Sequence, residues 1–122
     1  MNYMDKKFIA SEHSVDRFIL KILCKSNREQ YMNIRRNVHK FEQTRRDLIK
    51  RVKEAKVYPI GHPIFNVLMD TGDVEFGKGI FPEYRYNGLA VYVLQVGIDN
   101  VVIKTVLAHD EVEKTVKYVK YS

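Results

Sequence analysis

The chain has 122 residues, 45% hydrophobic and 30% charged, which fits one domain over 1–122 and excludes disordered and collagen-like classes. A single cysteine, Cys24, excludes an internal disulfide and a multi-cysteine zinc site, and four scattered histidines lack ligand spacing, so neither metal nor cofactor is expected. The longest apolar run, 89–94, is far short of a membrane span, and the first residues lack the apolar stretch of a signal peptide; the expectation is a cytoplasmic protein with no membrane partner.

The net charge is +6, and the segment from Arg28 to Lys56 accounts for it, with ten basic residues against four acidic; the remainder is neutral. A neutral body with one basic element is the pattern of a protein that meets phosphate, because clustered Lys and Arg displace condensed counterions. A solvated helix face with no partner has the same composition.

No Gly or Pro precedes Pro59, so the first half reads as helical. Ser11 is the predicted N-cap of a helix over about 12–24, with Val15, Phe18, Ile19, Ile22 and Leu23 recurring at helical spacing. Ser26 and Glu29 form a predicted capping box that starts a second helix. In it Ile34, Val38, Phe41, Arg45, Leu48, Val52 and Ala55 make a heptad seam interrupted by Arg45. About 30 residues at 1.5 Å each give a rod of roughly 45 Å. Glu42–Arg46 and Asp47–Arg51 are its expected i,i+4 pairs. Arg36, His39, Lys40, Arg46, Lys50 and Lys53 fall away from the seam and form a basic outer face, the candidate nucleic-acid-binding surface. The seam either covers the domain's own sheet or pairs with a second copy, which makes a homodimer through the long helix one expected partner arrangement.

Pro59, Gly61 and Pro63 mark a loop. Ile64–Met69 and Val74–Phe76 read as strands around a turn at 70–73. Asn87-Gly88 is a predicted type I′ turn between strands Glu83–Tyr86 and Leu89–Val96, followed by a turn at 97–100 and a strand Val101–Leu107. From His109 onward, Val112, Val116 and Val119 fit a short last helix, and the residue types also suit a strand. The expected fold class is α+β: two N-terminal helices, one long and basic, then an antiparallel meander.

The hairpin fixes the faces. Tyr84, Tyr86, Val91, Val93, Gln95, Val102, Lys104 and Val106 share one; Glu83, Arg85, Tyr92, Leu94, Val96, Ile103, Thr105 and Leu107 share the other. Both are mostly apolar, so the sheet is expected to be covered on both sides. Glu83, Tyr92 and Thr105 form a cross-strand row with Arg85 beside it, which reads either as a site or as an ion pair with hydroxyl contacts at the sheet margin.

His13 and Arg17 lie four apart on the helix face opposite the apolar stripe. Imidazole can move a proton and guanidinium can grip a phosphate, the two services that cleavage of RNA by its own 2′-hydroxyl needs. A solvated pair would look the same. Gly77-Lys78-Gly79 reads as a phosphate nest or a plain turn, Cys24 as a packing residue, and the tyrosines as base-stacking or strand residues.

The stretch Ser11-Glu12-His13-Ser14-Val15-Asp16-Arg17-Phe18 resembles the His-x-x-x-Arg helix that opens many small bacterial and phage proteins, some grouped with RelE-like and barnase-like ribonuclease toxins. Val101–Leu107 resembles the closing strand of that group, so about twenty residues carry the likeness. Where a second arginine usually follows, this chain has Leu20 and Lys21. The resemblance implies helices on a small antiparallel sheet and a metal-independent endoribonuclease, with His13 as general acid or base and Arg17 and Arg85 as phosphate stabilisers. Two other readings stand beside it: a non-catalytic protein of a phage or mobile element that binds a host protein or sequesters a phosphorylated nucleotide, and a dimeric structural module. The partner is thus RNA or another phosphate-bearing ligand, or a host protein.

Overall fold

The computed structural model describes residues 6–25, 27–68 and 81–121. The predicted strand Val74–Phe76, the turn at 70–73, the Gly77-Lys78-Gly79 nest and the Ser26 cap lie outside the described residues.

The chain starts with a strand that the sequence analysis did not anticipate, β1 (Lys7–Ala10), whose Phe8 and Ala10 point inward. Its ladder continues through Ser11 N–H, which donates to the Ile103 carbonyl at 3.2 Å. The Ser11 hydroxyl then caps α1 (Glu12–Phe18), accepting from Ser14 N–H at 3.1 Å as predicted. The last turn, Ile19–Leu23, is π-helical: Cys24 N–H donates to the Ile19 carbonyl, which sets Cys24 beneath Ile19 and buries it while Leu23 turns outward.

The expected single rod is two helices, α2 (Arg28–Arg35) and α3 (Val38–Glu54). Each starts on an asparagine in extended conformation: Asn27 accepts from Gln30 N–H, and Asn37 from Lys40 N–H. Asparagine competes for backbone donors, so it favours a cap over a helix interior. The break lets α2 fold onto α1, where Arg35 pairs with Glu12 and Asp16 and the Tyr31 hydroxyl donates to Asp16. The seam covers the domain's own sheet, burying Phe41, Leu48 and Val52, while Val38, just past the break, is 72% exposed. Arg45 interrupts the seam to satisfy the Ala10 carbonyl of β1, and it takes Glu42 (Arg46 reaches Gln43 instead), whereas Asp47–Arg51 forms as predicted.

After β2 (Lys56–Val57), the segment Ile64–Leu68 is a short helix, α4, in place of the predicted strand. His62 N–H donates to the Pro59 carbonyl and Phe65 N–H to the His62 carbonyl, so the proline-bounded turns wind directly into it. Ile64 and Leu68, four apart, are the buried pair, a helical spacing that a short apolar run does not reveal in sequence.

β3 (Phe81–Tyr86), β4 (Ala90–Val96) and β5 (Asn100–Ala108) form the predicted meander, and α5 (His109–Tyr121) follows as a helix. The sheet itself is mixed, in the order β1-β5-β4-β3-β2, with β1 parallel to β5. The hairpin is wider than a type I′ turn: Tyr86 faces Val91, not Leu89, and neither Asn87 nor Gly88 has positive φ. Asn87 causes this, its side-chain oxygen accepting from Leu89 and Ala90 N–H at 2.9 and 2.8 Å. A shift of two preserves the predicted faces of β3 and β4. A bulge between Val93 and Leu94 leaves Lys104 unmatched, so beyond it the faces of β5 swap: Thr105 faces Val93, and Val106 faces Tyr92. The expected Glu83–Tyr92–Thr105 row is therefore not formed.

Helices α1 to α3 cover one sheet face, packing Val15, Phe18, Phe41, Leu48 and Val52 on Tyr92, Leu94, Ile103 and Val106. Helices α4 and α5 with Tyr58 cover the other, over Tyr84, Val91 and Val93. No described helix is long and apolar enough to cross a membrane.

Candidate nucleic-acid interface

The five candidate backbone-binding residues, Arg36, Lys40, Arg46, Lys50 and Lys53, are all exposed. Arg36 is the C-cap of α2 and the others ride on α3. At 100° per residue, His39, Gln43, Arg46, Lys50 and Lys53 fall in one row along the outer side of α3, opposite Phe41, Leu48 and Val52. Lys40 lies about a quarter-turn away, beside a concavity of about 400 Å³ that it lines with Ile34, His39, Gln43 and Thr44 in the crook of the break.

What makes this row positive is the disposition of the carboxylates. Glu42 holds Arg45 and Asp47 holds Arg51, both on the flanks near the core, while Glu12 and Asp16 hold Arg35. The inner guanidiniums also lie on buried rings: Arg35 and Arg45 on Phe41, and Arg51 on Phe18. These four acids are thus matched to inner arginines, while the carboxylate of Glu54, at the end of α3 and four residues past Lys50, is exposed on the outer side. Of the outer set, Arg46 takes a hydrogen bond to Gln43, and the Lys53 ammonium sits 5.3 Å from the centre of the Phe8 ring.

His13 and Arg17 are exposed side by side on α1, as the helical spacing predicted, and belong to the same helical layer as α3. Arg85 is elsewhere. It stands on β3, 5% exposed, with its Nε 2.6 Å from Glu83 and an amino group donating to the Val52 carbonyl at the end of α3 at 3.0 Å. Its guanidinium also lies over Phe8. The structure brings His13 and Arg17 together, while Arg85 faces the interior; of the two readings of the Glu83–Arg85 cluster, the ion pair is the one formed, and it is buried. Tyr92 completes that region with its hydroxyl accepting from Asn87 at 2.7 Å.

Cys24 is buried, and burial raises its thiol pKa, which fits packing. No group of three His, Cys, Asp or Glu with metal-binding geometry occurs among the described residues. A cluster that the sequence analysis missed joins β3, the β2–α4 loop and α5: Tyr58 stacks between His62 and Tyr86, and both the Tyr58 hydroxyl and His109 meet the Glu113 carboxylate at 3.3 and 3.6 Å. Its only sequence signal is the i,i+4 spacing of His109 and Glu113. Comparison with family models, with curated proteins and with solved structures finds no match to this chain.

Proposed function

We propose that the protein binds RNA along the outer side of its helical layer, with Arg36, Lys40, Arg46, Lys50 and Lys53 holding the phosphate backbone. The observation that carries this reading is the pairing pattern on α3. Glu42 and Asp47 neutralise arginines at the core side, so on its outer side α3 carries Arg46, Lys50 and Lys53 against one exposed carboxylate, Glu54. The exposed His13–Arg17 pair on the same layer supports a second reading, cleavage without metal. In that chemistry the His13 imidazole takes the proton of the 2′-hydroxyl as its oxygen attacks the adjacent phosphorus. The P–O5′ bond breaks to leave a 2′,3′-cyclic phosphate while the departing 5′-oxygen takes a proton from water, and the Arg17 guanidinium holds the phosphate as charge builds on it. Arg85, buried and paired, is left out of that step.

Labelled total RNA incubated with the purified protein in EDTA tests both. Retention of RNA at low salt, lost in a Arg46→Gln/Lys50→Gln variant that keeps its circular dichroism, is the result expected of binding. Fragments that vanish with His13→Ala and with Arg17→Ala would establish cleavage. Intact RNA with no retention would sink both readings and leave a protein or small-nucleotide partner.

A further inference from the structure

We infer that the nucleic acid this surface takes is double-helical, recognised through its phosphate backbone; the inference rests on the reading of the helical layer as an RNA-binding face. The first ground is what the layer lacks. Proteins that hold single strands combine cationic grooves with aromatic rings on which the unpaired bases stack. Among the described residues, the aromatic side chains of the layer are turned inward or covered. Phe18 and Phe41 are buried under guanidiniums, and Tyr31 is half-buried with its hydroxyl tied to Asp16. The other tyrosines whose side chains are described, Tyr58, Tyr84, Tyr86 and Tyr92, stand on or beside the sheet, and Tyr58, Tyr84 and Tyr92 are buried. Among the described side chains of this layer, no Phe or Tyr ring is offered to a base beside the cations, and the one exposed ring in the row is the His39 imidazole.

The second ground is the shape of what is offered. The row runs along one side of an unbroken helix from His39 to Lys53, and its cations, Arg46, Lys50 and Lys53, occupy roughly the last 10 Å at 1.5 Å per residue. Arg46 and Lys53 repeat at seven residues, about 10 Å apart, and Lys50 sits between them. A straight, rigid line of cations matches a stiff polyanion carrying one charge per roughly 1.7 Å of axis better than it matches a coil, which would have to be straightened to follow it. The side chains interleaved with the cations, His39 and Gln43, are polar and offer hydrogen bonds to backbone oxygens or groove edges. Duplex RNA, with its wide, shallow minor groove, and duplex DNA share this chemistry.

Fluorescence anisotropy with the full chain separates the sources. The probes are a blunt RNA duplex, a DNA duplex of the same sequence and an oligouridylate of the same length, titrated between about 50 and 200 mM salt. The duplex RNA is expected to bind at least about tenfold tighter than the oligouridylate. The Arg46→Gln/Lys50→Gln variant is expected to lower the slope of log affinity against log salt by about two. Equal or tighter binding of the oligouridylate overturns the duplex inference and leaves RNA binding standing. Tighter binding of the DNA duplex than of the RNA duplex supports the inference and overturns the RNA assignment. No binding of any probe at the lowest salt overturns both.

Discussion

Arg85 shows how much a single strand position decides. Its neighbours on β3 alternate between two covered faces, and it falls on the one beneath α3, where Glu83, the Val52 carbonyl and the Phe8 ring all meet it. A guanidinium in that setting holds the end of α3 to the sheet. Arg85→Met is therefore expected to leave the Glu83 carboxylate buried without its counter-charge and to cost about 3–5 kcal/mol, read as a fall in the urea midpoint. Changing both residues, Glu83→Leu with Arg85→Met, should return most of that loss, because an apolar pair of similar volume needs no partner. A stable single variant that had lost RNA binding would instead mean that Arg85 serves a ligand. His13 and Arg17 are the opposite case. Nothing buried depends on either, so replacing them is expected to leave the midpoint within about 0.5 kcal/mol of the parent.

The break at Asn37 decides the layout of the helical layer. Residues 38–54 form a helix whose first turn is closed by the Asn37 side chain, and the turn in the chain brings Arg35 to Glu12 and Asp16. Asn37→Ala removes the cap and is expected to cost about 1 kcal/mol, while Asn37→Asp, which caps as well, should cost little. An alanine variant as stable as the parent would mean that packing alone sets the bend. The same element shows what was legible. A heptad seam was readable in sequence, and Phe41, Leu48 and Val52 do line the core, but periodicity continues across a cap and so hid the break. Ser11 was readable because a cap followed by a strong apolar stripe is a local signal. β1 was not, since its four residues pair with β5 more than ninety positions away, and only that pairing makes them a strand. The bulge at Lys104 was equally invisible, and it moved Thr105 off the face assigned to it. For the candidate site, exposure of helix residues followed from spacing. The burial of Arg85 did not, because no local signal tells which helix covers a sheet face.

The two faces of the sheet carry two unlike layers, one with a basic outer side, the other with Tyr58, Tyr84 and Tyr86 and a concavity of about 480 Å³ that Tyr58, Ile60, Phe65 and Phe81 help to line. Phenols buried on the two faces set the response to alkali. Burial pushes the phenol pKa of Tyr58, Tyr84 and Tyr92 above the ordinary value near 10, and the Glu113 carboxylate adds to the effect at Tyr58. A group whose pKa is higher folded than unfolded contributes stability that is fully present below the unfolded value and lost as pH climbs toward the folded one. Stability owed to these phenols is thus expected to hold up to about pH 10 and then to fall as pH rises further, by at most about 1.4 kcal/mol per pH unit for each. Tyr84 separates this cause from general repulsion, because its buried hydroxyl has no hydrogen-bond partner among the described residues. Tyr84→Phe should keep or slightly raise stability at neutral pH and make the alkaline fall shallower. Unfolding midpoints measured from pH 8 to pH 11, with phenolate absorbance followed in parallel, provide the check. If the phenols ionise near pH 10 while the fold stays intact, the tyrosine layer is open to water and the assignment fails. Buried phenols that appear only as the protein unfolds would place the alkaline limit of the whole molecule in the phenols covered on both faces of its sheet.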